Sequence, residues 1–246
     1  MVAVASSAAK EDLISLLKVE PEKIHVIPIA AVNSARDLDG VGQLPAIPWA
    51  AGEFAFFPAQ TFPHKNHEAL LVALALLRDR SGLRIPIVCS GALSPHYRKV
   101  QRMVTRLRLA DQVAFLGQIS PAGVSALYGS CRLVIFPTLF EGWGLPATEA
   151  QASGAPLVCS RIRPLTDIAG AAAQYFNPED PADIARGLSE VWLDDNLRKR
   201  LAAAGLLRAG SFTWDRTARI FRAWYRRLAD RPTDVDRSLI EMEPAV

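Results

Sequence analysis

The sequence predicts an α/β fold in which helices cover both faces of a parallel β-sheet. Short apolar runs that are typical of strands alternate along the chain with longer segments that begin at helix start signals. Most of the strand runs are continuously apolar, which is the pattern expected of strands buried on both faces. Together, the alternation and the apolar runs favour a doubly wound parallel sheet.

Seven segments are predicted to be strands: 24–27, 54–57, 85–90, 113–116, 133–136, 157–160 and 174–176. The predicted helices begin at capping residues or at a proline in the first turn, and end before glycine or polar residues. Their starts are Asn66 ahead of a helix to Leu77, Ser94-Pro95 ahead of 97–109, Ser120-Pro121, Pro146 ahead of Gly154, and Asp180-Pro181 ahead of 184–193.

Composition gives the domain limits and narrows the class of protein. The chain has 246 residues, 50% of them hydrophobic, and a net charge of +3, so it can bury a large core. Residues 33–51 are rich in Gly, Pro and Asp and are predicted to be a linker. The domain proper is expected over 52–229. The polar stretch 230–246 is expected to be a flexible tail.

The sequence also allows predictions about cellular location, charged partners and metal binding. There is no long apolar run and no secretory signal, so we expect a cytoplasmic protein. The modest charge gives no reason to expect a nucleic-acid partner. A basic cluster at residues 98–108 is either a solvated helix face or a contact with an anionic membrane surface. The three cysteines lack disulfide or metal spacing, and His64 and His67 have no third ligand nearby, so no metal site is expected.

Residues 140–149 hold the strongest functional signal in the chain. Glu141 and Glu149 lie eight positions apart, around Gly142 and Gly144, after the apolar strand 133–136. We expect Glu141 in a loop and Glu149 in the first helical turn. Ligands bind at the carboxyl edge of an open α/β sheet, where glycines let backbone N–H groups approach phosphate. Carboxylates do not bind phosphate, so the two glutamates predict the hydroxyls of a sugar or ribose.

Each feature of this segment also has a simpler structural interpretation. Glu149 could serve only to stabilise a helix N-terminus, where negative charge is favoured. Gly142 and Gly144 could form a tight turn, and Trp143 could be a core residue. The combination at this spacing favours a ligand site.

The segment resembles the E-x7-E motif of retaining GT-B glycosyltransferases, in particular the family 4 group, also called glycosyl transferases group 1. Four further segments, 57–67, 152–160, 177–181 and 212–217, resemble other landmarks of that family, so the resemblance covers about residues 52 to 228. It implies that the chain is mainly the Rossmann-like, C-terminal donor-binding half of a GT-B fold. The expected donor is a GDP- or UDP-sugar, with no cofactor and no bound metal.

The resemblance also implies roles for individual residues. Lys65 is the expected cation for the donor diphosphate, Glu141 binds a hydroxyl of the donor sugar, and Glu149 binds the ribose. Gln60 stands where an arginine is more common in the family. Retaining enzymes of this fold are thought to need no nucleophilic carboxylate. The remaining contacts are expected from Ser90 and Gly91, from the N–H groups of Gly142, Trp143, Gly144 and Leu145, and from the base-contacting segment 113–117.

The amino-terminal part resembles the end of the family's acceptor-binding domain. Residues 3–6, 10–17 and 23–28 match its last elements, so 1–32 is expected to be a remnant of that domain. The chain would then supply one wall of the active-site cleft, with a separate acceptor-binding chain as a candidate partner. The alternative is a non-catalytic nucleotide-sugar-binding module or a truncated enzyme. The helix 212–228 normally packs towards the acceptor domain, so Trp224 and Tyr225 are expected to be exposed or to meet a partner.

Overall fold

The computed structural model describes residues 1–31 and 44–241, and its main feature is a six-stranded parallel sheet. The strands are β1 (Val2–Val4), β2 (Ile24–Val26), β3 (Ala55–Pro58), β4 (Ile87–Ser90), β5 (Val113–Phe115), β6 (Leu133–Phe136), β7 (Leu157–Ser160) and β8 (Ala173–Phe176). The helices are α1 (Ser7–Leu17), α2 (His67–Ser81), α3 (Tyr97–Arg106), α4 (Pro121–Ser130), α5 (Leu145–Ala152), α6 (Arg163–Ala169), α7 (Pro181–Leu193), α8 (Asp195–Ala209), α9 (Trp214–Leu228) and α10 (Asp234–Glu241).

The order of the strands determines where a ligand can bind. The sheet runs β5-β4-β3-β6-β7-β8, and every neighbouring pair is parallel. The chain therefore winds outwards from β3 in one direction and from β6 in the other. At such a reversal the loops after the two central strands diverge and leave a crevice at the carboxyl edge. The predicted doubly wound α/β fold is confirmed, and its crevice lies between the loops after β3 and β6.

The continuously apolar runs of the sequence correspond to buried strands in the structure. All residues of β4, β6 and β7 are buried, whereas the edge strand β5 is only half-buried. Aromatic side chains supply much of the central volume, because Phe56, Phe57, Phe136 and Phe176 are completely buried. Burying a large apolar side chain contributes about 1.5 to 3 kcal/mol.

The amino-terminal segment forms its own small unit against the last part of the chain. β1 and β2 pair in a two-stranded parallel sheet, with α1 between them in sequence. Thr217 on α9 donates a hydrogen bond to the carbonyl of Pro28 (2.7 Å), and the rings of Trp224 and His25 stack at 3.5 Å. Trp224 is thus half-buried against this segment, whereas Tyr225 stays 62% exposed.

Two of the predicted helix caps are confirmed, whereas Asn66 and Ser94 do not cap their helices. The side chains of Ser120 and Asp180 accept hydrogen bonds from the first turns of α4 and α7. Asn66 instead adopts a left-handed conformation, and its amide donates to the carbonyls of Pro137 (3.0 Å) and Pro178 (2.8 Å). Its side chain therefore joins two loops rather than capping α2. The predicted helix 97–109 is shorter than expected and ends at Arg106.

The expectation of a flexible tail is wrong for residues 234–241, which form α10 against α9. The Thr233 hydroxyl accepts from Asp236 N–H, and the Asp236 carboxylate accepts from Thr233 N–H, which is the reciprocal pattern of a capping box. Arg226 also pairs with the buried Asp236 carboxylate at 3.2 Å. These bonds hold the pKa of Asp236 down at about 2. Local capping and one ion pair thus order a polar segment.

The predicted linker falls partly outside the described residues. Residues 33–43 are not described, and 44–51 contain neither helix nor strand. Within that second part, Leu44, Ile47 and Trp49 pack against the core. No helix in the described part of the chain combines the length and the apolarity needed to cross a membrane.

Candidate functional site

The loops after β3 and β6 meet at the crevice, and backbone contacts fix their relation. The carbonyl of His64 accepts from the N–H of Leu139 (2.8 Å) and from the hydroxyl of Thr138 (3.2 Å). Pro63–Lys65 forms a single 3-10 turn directly before Asn66. The turn and these bonds place Lys65 beside the loop that carries Glu141.

Lys65 and Glu141 form an ion pair at the crevice. Lys65 Nζ lies 2.5 Å from Glu141 Oε1, and the side chains are only 17% and 11% exposed. The ammonium group also sits 5.4 Å from the ring centre of Phe136. These residues were predicted to bind separate ligand groups, and their pairing was not predicted. The pair fixes a cation next to a carboxylate at the crevice.

The glycine turn between β6 and α5 offers several backbone donors. Within the described residues, the N–H groups of residues 142–145 donate no hydrogen bond. Gly144 caps α5 with φ +105°, and a Cβ there would lie 2.5 Å from the side chain of Leu165. Donors at a helix N-terminus suit an anion such as phosphate. The Trp143 side chain is buried edge-on against Phe212, as its simpler interpretation predicts.

Glu149 lies deeper in the helix than predicted. It is the fifth residue of α5, and no acidic residue occupies the first turn, so stabilisation of the helix N-terminus does not explain it. The Tyr128 hydroxyl donates to Glu149 Oε2 at 2.8 Å. Burial raises the pKa of Glu149, and this hydrogen bond acts in the opposite direction. Nothing in the sequence distinguishes Tyr128 from an ordinary core aromatic, so the contact was missed.

Three of the other predicted residues line one cleft of about 300 Å³ at the same edge of the sheet. Gln60 is exposed, Ser90 is buried, and Gly91 has φ +135°. A Cβ on Gly91 would lie 2.6 to 2.7 Å from backbone atoms of Ala59 and Gln60. The glycine therefore allows the loops after β3 and β4 to touch. The cleft is completed by Gln118, Ile119 and Val124, beyond the predicted segment 113–117.

Helix α1 closes over the motif loop from the other side. The completely buried Ser6 hydroxyl donates to the carbonyl of Gly142 at 2.6 Å and accepts from the N–H of Ala9. Because C=O and N–H point in opposite directions across a trans peptide, this bond fixes the direction of the Trp143 N–H. Glu141 lines a cleft of about 240 Å³ between α1 and the start of α6. No signal in the sequence marks Ser6 for this contact.

His67 is buried in the core. His67 is 3% exposed, and its ring packs at a tilt of 37° against Phe57, with 4.4 Å between ring centres. Within the described residues neither ring nitrogen has a hydrogen-bond partner. Burial lowers the pKa of His67 to about 3, with smaller contributions from His96 and Lys65. Residues 1–31 and 44–241 contain no group of three or more His, Cys, Asp or Glu side chains that could hold a metal ion.

This burial predicts acid sensitivity. Between about pH 6.5 and the folded pKa, the unfolded chain binds a proton at His67 that the folded chain does not, so stability falls by about 1.4 kcal/mol per pH unit as the pH is lowered. His67→Leu should remove about 2 kcal/mol of the stability difference between pH 6.5 and pH 5, as measured by urea unfolding. The exposed His64→Leu variant is the control. An unchanged difference in His67→Leu would contradict the assignment.

The strand order and the crevice define a Rossmann-like domain of the kind found in GT-B proteins. The sequence profile of the family Glycosyl transferases group 1 matches residues 50–208, and the chain belongs to that family. It is 32% identical over 191 residues to the serotype-specific mannosyltransferase WbdA of Escherichia coli, which covers 77% of this chain and 23% of WbdA.

Two solved structures share the fold. The glycosyltransferase from Rickettsia africae superposes with a TM-score of 0.79 at 19% identity, over 93% of this chain and 63% of that one. HepE from Anabaena, crystallised with UDP and glucose, has a TM-score of 0.74 at 18% identity, over 93% and 62% of the two chains. The chain thus spans about a quarter of WbdA and less than two thirds of these structures.

Proposed function

We propose that this chain is the donor-binding half of a retaining, family 4 glycosyltransferase that transfers a hexose from a GDP- or UDP-sugar. The observation that supports this most is the Lys65–Glu141 pair at the crevice, beside the free backbone donors of residues 142–145. A nucleoside diphosphate is bound by cations and N–H donors, and the hydroxyls of a sugar are bound by carboxylates and amides. This edge of the sheet offers both.

In this proposal each group has one task in donor recognition. Lys65 and the N–H groups of the glycine turn neutralise the leaving diphosphate, which gains charge as the glycosidic bond breaks. Glu141 binds a hydroxyl of the sugar, and Glu149 binds the ribose. Gln60, Ser90 and Gly91 form the wall on the nucleotide side. The diphosphate helps to deprotonate the acceptor on the face from which it departs, so retention needs no carboxylate nucleophile.

The rest of the enzyme belongs to the proposal as well. WbdA is a mannosyltransferase and HepE was crystallised with UDP, so the base and the sugar are left to a ligand panel. The acceptor side of the cleft is supplied by a further domain or by a separate chain, in the cytoplasm. The arginines of α3 are the candidate contact for an anionic membrane surface. A binding module without transfer activity is the alternative function.

The two glutamates should be separable by ligand. Glu149→Gln should weaken the binding of both a free nucleoside diphosphate and its sugar conjugate about tenfold, because both ligands carry the ribose. Glu141→Gln should weaken the binding of the sugar conjugate only. The substitution removes the charged partner of Lys65, which is then available to the diphosphate. Isothermal titration of each variant with both ligands tests this. Equal losses for both ligands in both variants would mean that the roles are misassigned.

A further inference from the structure

We propose that Tyr128 is a positioning residue for ribose recognition, because its hydroxyl holds one oxygen of Glu149 and leaves the other for the ligand. This inference rests on the proposed function, since it needs Glu149 to bind the ribose. Tyr128 belongs to α4 and Glu149 to α5, so the contact joins the helices that precede and follow β6 in the chain.

The geometry keeps the tyrosine in place. Tyr128 is 1% exposed, and its ring packs edge-on against Phe56 of β3, with 5.0 Å between ring centres. Its hydroxyl lies 2.8 Å from Glu149 Oε2 and 3.4 Å from the carbonyl of Pro146. Within the described residues Glu149 Oε1 accepts no hydrogen bond. The firmly held Tyr128 hydroxyl thus occupies one carboxylate oxygen of Glu149 and orients the other.

The charge states fit this role. Burial raises the pKa of Tyr128 well above its usual range, so the hydroxyl keeps its proton and acts as a donor. Cys131, the other ionisable group against this ring, also stays protonated because burial raises its pKa to about 12. On the helices packed against α5, Asp167 and Arg208 interact with each other. Burial raises the pKa of Glu149, and the bond from Tyr128 opposes this shift by favouring the ionised form, which accepts hydrogen bonds from ribose hydroxyls.

The test compares ribose with deoxyribose. The chain is titrated with UDP, GDP and their 2′-deoxy forms, and the ratio of the two dissociation constants is measured for the nucleotide that binds. The wild type should prefer the ribonucleotide about tenfold, because a charge-assisted hydrogen bond is lost with the 2′-hydroxyl. Tyr128→Phe should weaken the ribonucleotide about three- to tenfold and remove most of this preference.

Tyr175→Phe is the matched control. The Tyr175 hydroxyl donates to the carbonyl of Gly170 at 2.7 Å, so the variant loses a comparable hydrogen bond but should keep the ribose preference. If Tyr128 acts only through Glu149, the double variant Tyr128→Phe/Glu149→Gln should bind like Glu149→Gln alone. Thermal melting verifies that each variant is folded.

The outcomes separate this inference from the proposed function. A ribose preference that survives Tyr128→Phe and disappears in Glu149→Gln would overturn the inference and leave the proposed function standing. Additive losses of ribonucleotide affinity in the double variant would also overturn the inference. A folded wild-type chain that binds neither UDP nor GDP would overturn both.

Discussion

Lys65→Ala should weaken the binding of a nucleoside diphosphate on the order of tenfold to a hundredfold. Loss of a charge-assisted contact in a partly desolvated site costs about 1.5 to 3 kcal/mol, which corresponds to that range of affinity. Lys65 is largely enclosed and has Glu141 at 2.5 Å. Removing the lysine therefore also leaves an unpaired carboxylate near the phosphates, which adds repulsion to the lost attraction. Isothermal titration measures the effect.

A matched lysine and a double variant identify the source of that loss. Lys99 of α3 pairs with Glu68 of α2 and has a side chain that is 56% exposed, so Lys99→Ala should leave the affinity unchanged. Lys65→Ala/Glu141→Gln should recover part of the loss for the free diphosphate, because the unpaired carboxylate is removed. An affinity for Lys65→Ala equal to that of the wild type would remove Lys65 from the site.

Gly91→Ala should lower the free energy of unfolding by about 2 to 5 kcal/mol, since both strain and overlap oppose it. The backbone there has φ +135°, and the new Cβ would meet backbone atoms of Ala59 and Gln60 at 2.6 to 2.7 Å. Backbone cannot move aside as the end of a side chain can. The loops after β3 and β4 should separate, and nucleotide affinity should fall with stability.

Gly129→Ala is the control for this substitution. Gly129 lies within α4, has no atom within 4 Å of its Cβ position and shows no positive φ. Alanine there should be neutral or stabilise the protein by up to about 1 kcal/mol. Urea unfolding compares the two variants. Equal stabilities for Gly91→Ala and the wild type would contradict the close approach of the two loops.

The sequence was sufficient for the fold and for the position of the loop that carries Glu141. Continuously apolar strands and proline-marked helix starts predicted the parallel sheet, because burial on both faces and helix capping are local properties of the sequence. The position of Glu141 after a buried strand was enough to place its loop at the carboxyl edge. The Thr233–Asp236 capping box was also visible in the sequence and was overlooked.

The contacts that complete the site could not be predicted in the same way. Ser6 reaches Gly142 across 136 positions, and Tyr128 reaches Glu149 across 21. Such pairs depend on how elements distant in sequence pack together, and one sequence alone does not specify that geometry. Asn66 shows the same limit: its residue type fits a helix cap, but two carbonyls brought close by the fold take its amide instead.

The most direct measurement is isothermal titration of the 246-residue chain with UDP, GDP and a panel of their hexose conjugates, in buffer that contains a chelator. The proposed function predicts saturable one-to-one binding of at least one nucleotide and its sugar conjugate without a divalent ion, weakened by Lys65→Ala and by Glu149→Gln. A folded chain that binds none of the panel, or that binds it with unchanged affinity in both variants, would contradict the assignment of this crevice as a donor site.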